Sequence, residues 1–151
     1  RLQRPRQVAD SDTSIVLLVD DDDDALTLLK RSLGRDGYRI LAARNAHEAL
    51  ELLGQHHVDV VISDQKMPGI PGVEFLQRVK SLFPKTIRMM TSNYTDFQTM
   101  ADAVNKGEIF RFLPKNLSEE ELRIGVREAL RARADAAVNI GHLVAPGTVG
   151  K

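Results

Sequence analysis

Ile15-Val16-Leu17-Leu18-Val19-Asp20-Asp21-Asp22-Asp23-Asp24 is the stretch that decides how this chain folds. Five apolar residues, three of them β-branched, run straight into five consecutive aspartates. Such a run reads as a buried strand, and this one delivers carboxylates to its carboxyl end. In open α/β sheets that end is where ligands bind. The turn contains no glycine and carries a large negative charge, so it repels a phosphate unless a cation binds first. The stretch therefore points to a metal site and away from a nucleotide-cradling loop.

Outward from this stretch, strand signals recur at Tyr38–Ala43, Val58–Ser63, Thr86–Thr91 and Ile109–Leu113. Helical patterns fill the gaps. Ala25, Leu26, Leu28, Leu29 and Leu33 share a face, with Gly34 and Gly37 at its exit. Ala46, Ala49, Leu50 and Leu53 form a second face. A third helix enters through Pro71-Gly72 and carries Val73, Leu76, Val79 and Leu82. A fourth spans about Thr95 to Lys106 and stops at Gly107. A fifth starts at Ser118, with Glu121 completing a capping box, and runs through Leu122, Val126, Ala129 and Leu130 to about Ala134. This (βα)₅ alternation predicts an α/β, doubly wound, flavodoxin-like fold. Its five-stranded parallel sheet has the order 2-1-3-4-5, with right-handed crossovers and helices on both faces. Residues 1–14 are polar and aperiodic and read as a flexible extension. Residues 15–134 form the domain. Residues 135–151 hold Gly141, Pro146, Gly147 and Gly150, and read as a helix extension, linker or tag.

Composition narrows the function classes. Lys+Arg and Asp+Glu number 21 each, giving zero net charge and no electrostatic case for nucleic-acid binding. Cysteine is absent, which excludes disulfides and thiolate metal sites and fits a cytoplasmic location. No apolar run approaches the ~20 residues needed to span a bilayer. The chain does not begin with Met, as expected for a piece of a longer protein.

At the strand ends stand Asp20 and Asp21, Asp64, Ser92 and Lys115; the second strand ends in Ala42-Ala43 and contributes nothing. In the order 2-1-3-4-5 the first and third strands are neighbours at the topological switch point, so Asp20, Asp21 and Asp64 converge. Two carboxylates ~5 Å apart repel by about 3 kcal/mol at an effective dielectric of roughly 20, so three together call for a cation. Oxygen-only ligands favour Mg²⁺, which keeps waters and takes a few carboxylates plus a phosphate. Asp22, Asp23 and Asp24 read as a solvated helix start, favoured there by the helix dipole. His47, His56, His57 and His142 show no metal spacing with acids and read as surface residues. Met89 and Met90 read as strand packing.

Four motifs in order now carry a resemblance: Leu17-Leu18-Val19-Asp20-Asp21, Ser63-Asp64-Gln65-Lys66-Met67-Pro68-Gly69 with Gly72, Met90-Thr91-Ser92, and Phe112-Leu113-Pro114-Lys115. Residues 15 to about 134 resemble the response-regulator receiver domain of bacterial two-component signalling. The resemblance implies that Asp64 is the phosphate acceptor. It implies that Asp21, Asp64 and the main-chain carbonyl of Lys66 bind Mg²⁺, with Asp20 reaching it through water. Ser92 and Lys115 would contact the phosphoryl group, with Thr91 the neighbouring alternative to Ser92. Aligning Tyr94 with the aromatic that follows this motif in similar receivers favours Ser92, and Phe112 would fill the family's aromatic switch position. The implied partners are a histidine kinase or phosphotransfer protein and an output domain or downstream protein. A homodimer through the fourth helix, fifth strand and fifth helix is a further implied partner. The implied role is a regulatory switch rather than an enzyme: as Ser92 is drawn toward the phosphate, Phe112 turns into the vacated space and that surface changes shape.

Two departures and two rival readings follow from the same residues. Asn116 stands where the family places a proline after the lysine. A cis bond to a non-proline costs ~3 kcal/mol, so the sequence predicts a trans bond or a strained loop there. Asn93 follows Ser92 where small residues are common, and is expected to crowd access to the phosphate. A haloacid-dehalogenase-type phosphatase would use Asp20-x-Asp22, Ser92 and Lys115, but it needs an acidic pair on a later strand and leaves the Asp64 motif unexplained. A pseudo-receiver that binds a partner without phosphorylation is the other alternative. Val104–Phe112 resembles receivers attached to transcriptional activators or to cyclic-dinucleotide phosphodiesterases.

Overall fold

A computed structural model describes residues 13–93, 97–106 and 109–144. Five strands alternate with five helices: β1 (Ile15–Val19), α1 (Asp23–Gly34), β2 (Arg39–Ala43), α2 (Ala46–Gln55), β3 (Val60–Asp64), α3 (Gly72–Leu82), β4 (Ile87–Ser92), α4 (Phe97–Asn105), β5 (Arg111–Pro114) and α5 (Glu119–Val144). The strands pair in parallel in the order β2-β1-β3-β4-β5, as the alternation predicts.

Strand side chains alternate between two cores. Val16, Leu18, Val60, Ile62, Met89 and Leu113 pack against Leu26 and Leu33 of α1 and Leu122, Val126 and Ala129 of α5. Leu17, Val19, Val61 and Met90 face Ala49 and Leu53 of α2, Phe75, Leu76 and Val79 of α3, and Ala103 of α4. Both faces of the sheet are covered, which explains why β1 and the Val60–Ile62 start of β3 are continuous apolar runs rather than alternating ones. Met89 and Met90 are wholly buried, one on each face, and are packing residues.

Local chemistry sets the helix starts. Asp22 caps α1 by accepting from the Asp24 amide, with Asp23 and Asp24 in the first turn. Ser118 and Glu121 form the expected capping box at α5: the Glu121 amide donates to Ser118 Oγ and the Ser118 amide to Glu121 Oε1, both at 3.1 Å. Strand boundaries differ from expectation by one or two residues, because burial begins before the ladder does. Val58 and Ile109 are buried but precede β3 and β5, and Thr86 instead donates its hydroxyl to the Val58 carbonyl. Helix α5 runs ten residues past Ala134, to Val144. The alanines at 136 and 137 favour helix, and Gly141 costs too little to end one. The extension at residues 1–12, the expected start of α4 at Thr95 and its stop at Gly107 lie outside the described residues. Among the described residues no helix is long and apolar enough to cross a membrane.

Candidate metal centre

The alternation that builds the two cores also builds the site. Asp20 follows Leu18 by two residues, Asp64 follows Ile62, Thr91 follows Met89 and Lys115 follows Leu113. Each is the next residue of the α1/α5 face beyond the core, so all four point to one pocket at the carboxyl ends of β1, β3, β4 and β5. Asp20 is 2% exposed and Asp64 6%. Lys115 Nζ lies 3.3 Å from Asp20 Oδ2 and 3.2 Å from Asp64 Oδ1, bridging the two buried acids. Among the described residues all peptide bonds are trans, so Lys115 reaches both carboxylates without the family's proline at 116.

Electrostatics in the pocket are unbalanced. Burial pushes the Asp64 carboxyl above the usual aspartate range, the Asp20 charge adds to this, and Lys115 offsets it only in part. Burial works against the Lys115 charge, but Asp64 and Asp20 together outweigh it and hold the ammonium above the usual lysine range. Carboxylate oxygens of Asp20, Asp21 and Asp64 all lie within 4.8 Å of one another. An octahedral Mg²⁺ shell is about 4.2 Å across, so these oxygens can share one ion directly or through a water. The donor chemistry fits too: oxygen only, two donors buried and one exposed.

The β3–α3 turn holds Asp64 in place through residues to which sequence reasoning gave no role. The Gln65 amide donates to the Thr91 carbonyl, its own carbonyl accepts from Gly72, and its side-chain Oε1 accepts from the Val73 amide at 2.9 Å. Ser63 Oγ donates to the Asp64 carbonyl at 2.9 Å. Gly72 is required by close approach: a Cβ there would overlap the Asp64 carbonyl oxygen and lie 2.9 Å from Gln65 Cα. Gly69 takes φ +86°, a conformation that other residues avoid. Lys66 lies in the same turn with its side chain exposed.

Ser92 and Phe112 lie on the opposite face: Phe112 pairs with Met90, and Ser92 follows Met90 by two residues. Ser92 is 3% exposed and donates its hydroxyl to the Asn93 carbonyl at 2.8 Å. Phe112 is partly buried against the α2–α4 core. Tyr94, which aligns this segment, lies outside the described residues. The end of β2 contributes more than expected: Arg44, the residue after it, reaches the acidic turn, with Nη1 3.1 Å from the Asp23 carboxylate and Nη2 3.4 Å from the Asp21 carbonyl. The pocket opens onto a groove of about 420 Å³ between α1 and the β5–α5 turn, lined by Leu28, Leu29, Leu117 and Leu122 among others. His47 and His57 are exposed and His56 is half-buried; the His142 side chain lies outside the described residues.

Residues 16–127 match the family described as the response regulator receiver domain. The hydrogenase transcriptional regulatory protein HoxA of Cupriavidus necator is 36% identical over 118 residues, 78% of this chain and 24% of that protein. The response regulator protein PilR of Pseudomonas aeruginosa is 35% identical over 117 residues, 78% of this chain and 26% of that protein. Among solved structures, the signal receiver domain of an HD domain-containing protein from Pseudomonas fluorescens Pf-5 superimposes with a TM-score of 0.78 at 34% identity, covering 83% of this chain and 92% of that one. The chain spans about a quarter of the length of the curated relatives it matches.

Proposed function

The chain belongs to the response regulator receiver domain family, and from that premise we propose that it is a phosphorylation-driven switch with Asp64 as its phosphoacceptor. The supporting observation is the bridge from Lys115 to Asp20 and Asp64, made where the third carboxylate, Asp21, also converges. Mg²⁺ would be held by Asp21, Asp64 and the Lys66 carbonyl, with Asp20 reaching it through water. Bound there, it would offset the repulsion between an anionic nucleophile and an anionic donor.

An Asp64 carboxylate oxygen attacks phosphorus. The bond from phosphorus to the donor's imidazole nitrogen breaks, and the imidazole leaves with the electron pair. Lys115 supplies a mobile cation to a phosphoryl oxygen, and the Ser92 hydroxyl exchanges the Asn93 carbonyl for another. That inward turn takes Ser92 away from the sheet face it shares with Phe112, and Phe112 follows. The surface formed by α4, β5 and α5 then favours a different partner or a second copy of the chain. The bias equals the phosphoryl group's differential affinity for the two states.

The donor in this reading is a histidine kinase or phosphotransfer protein, which must bury surface close to Asp64. The apolar groove beside Lys115, with Leu28 60% exposed on its rim, supports a protein donor. Control of transcription is the output that the name of HoxA suggests. The role is regulatory, with no turnover of an external substrate, and the location cytoplasmic.

Intact mass after incubation with a small phosphodonor tests the reading. One added phosphoryl group, dependent on Mg²⁺ and absent in Asp64→Asn, is the expected result. No adduct at any time, in protein shown separately to bind Mg²⁺, would favour a partner-binding domain that is not phosphorylated.

A further inference from the structure

Asp20 and Asp64 are fixed by burial and by Lys115, and Asp20 Oδ1 also accepts from the Asp22 amide at 3.0 Å. Asp21 is different. It is exposed, and its carboxylate has no hydrogen-bond or ion-pair partner among the described residues. Its main chain is held instead, by Arg44 Nη2 at its carbonyl. Arg44 stands on a rigid base. Ala43 pairs with Val19 and accepts from the Asp20 amide, which brings the end of β2 beside the acidic turn. The Arg44 amide donates to Glu48 Oε1 and the Glu48 amide to Asn45 Oδ1, the N-cap of α2, both at 2.9 Å, so the start of α2 fixes the backbone that carries the guanidinium.

We propose that Arg44 is a positioning residue for metal binding, strapping the acidic turn so that the Asp21 carboxylate is presented to the ion. The proposal rests on the reading of this centre as a Mg²⁺ site. Two effects of Arg44 compete. As a cation near a cation site it disfavours metal; as a strap it removes the freedom that the turn would lose on binding. Asp23 already pairs the Arg44 charge at 3.1 Å, and Arg44 is 56% exposed and screened. The residual field is therefore small and the strap dominates. A guanidinium can span a carboxylate and a carbonyl at once, whereas an ammonium is a point charge and cannot hold both in this geometry.

Titration calorimetry with Mg²⁺ on the unphosphorylated chain, at fixed ionic strength, tests this with Arg44→Ala and Arg44→Lys, alongside melting curves without metal. The expected result is an affinity about tenfold weaker in Arg44→Ala, the scale seen for partners that orient metal ligands. Little recovery is expected in Arg44→Lys, and metal-free melting should be unchanged in both. Equal or tighter Mg²⁺ binding by Arg44→Ala, or full recovery in Arg44→Lys, would overturn the proposal. So would a large drop in metal-free melting temperature, which would assign Arg44 to the fold at large. Absence of Mg²⁺ binding by the unsubstituted chain would instead overturn the metal reading, and the role of Arg44 with it.

Discussion

Lys115 Nζ stands 3.2 Å from Asp64 Oδ1, at the meeting of the β5 and β3 strand ends, and its ammonium favours the ionised Asp64 carboxyl. Burial and the Asp20 charge push the Asp64 carboxyl up, and Lys115, ahead of a main-chain hydrogen bond from Gln65, favours its ionised form. Removing the ammonium in Lys115→Ala should therefore raise the Asp64 pKa further. Carboxyl-carbon NMR titration of the metal-free protein reads this directly. A midpoint that stays put or moves down would mean that Lys115 does not engage Asp64 in solution.

The raised Asp64 pKa also makes a statement about stability. The folded protein holds the Asp64 proton at pH values where the unfolded chain has released it. Stability therefore falls as pH climbs from the ordinary aspartate pKa through the raised one, and the deficit persists at neutral pH. Asp64→Asn should melt higher than the unsubstituted protein at pH 7 without Mg²⁺. The difference should vanish below the ordinary aspartate range, where both side chains are neutral. Melting curves across pH would expose the error if Asp64→Asn were destabilised at pH 7.

Gly72 is a steric requirement of the site. An added methyl group meets the Asp64 carbonyl and Gln65 Cα, both main-chain atoms that cannot swing aside. Gly72→Ala should cost about 1–3 kcal/mol, typical of overpacking, and should weaken Mg²⁺ binding by displacing the turn. Urea denaturation with a calorimetric Mg²⁺ titration would measure both. Unchanged values would show that the turn has slack.

Asn93 is exposed beside the Ser92 hydroxyl, which donates to its carbonyl. Its side chain should slow the approach of small donors and of attacking water. Asn93→Ala should therefore speed both phosphorylation by a small donor and loss of the phosphate, each by severalfold. Intact-mass time courses give the two rates. If neither changes, crowding by Asn93 is not what sets them.

Much of this was legible in the chain because burial and chemistry coincide. Ile15–Val19 is delimited to the residue because an apolar strand, buried from Val16 on, ends abruptly in acid. Asp20, Asp64 and Lys115 were readable because their strand ends converge in any doubly wound sheet of this order. Arg44 was not: an exposed arginine after Ala42-Ala43 has no pattern of its own, and its reach depends on Ala43 pairing with Val19. Gln65 was likewise hidden, since only the folded turn brings its amide oxygen to the Val73 amide. The continuation of α5 to Val144 realises the helix extension that the sequence offers beside a linker or tag for residues 135–151: Gly141 keeps the linker reading open, while helix propensity carries the chain on.

The central claim is that Asp64, and no neighbouring aspartate, takes the phosphoryl group. Reductive trapping reads it most directly: borohydride converts an acyl phosphate to the alcohol, so a phosphorylated aspartate becomes homoserine and peptide mass mapping locates it. Homoserine at position 64, appearing only after treatment with donor and Mg²⁺, is the expected result. Homoserine at position 20 or 21, or an adduct that leaves every aspartate unreduced, would contradict it.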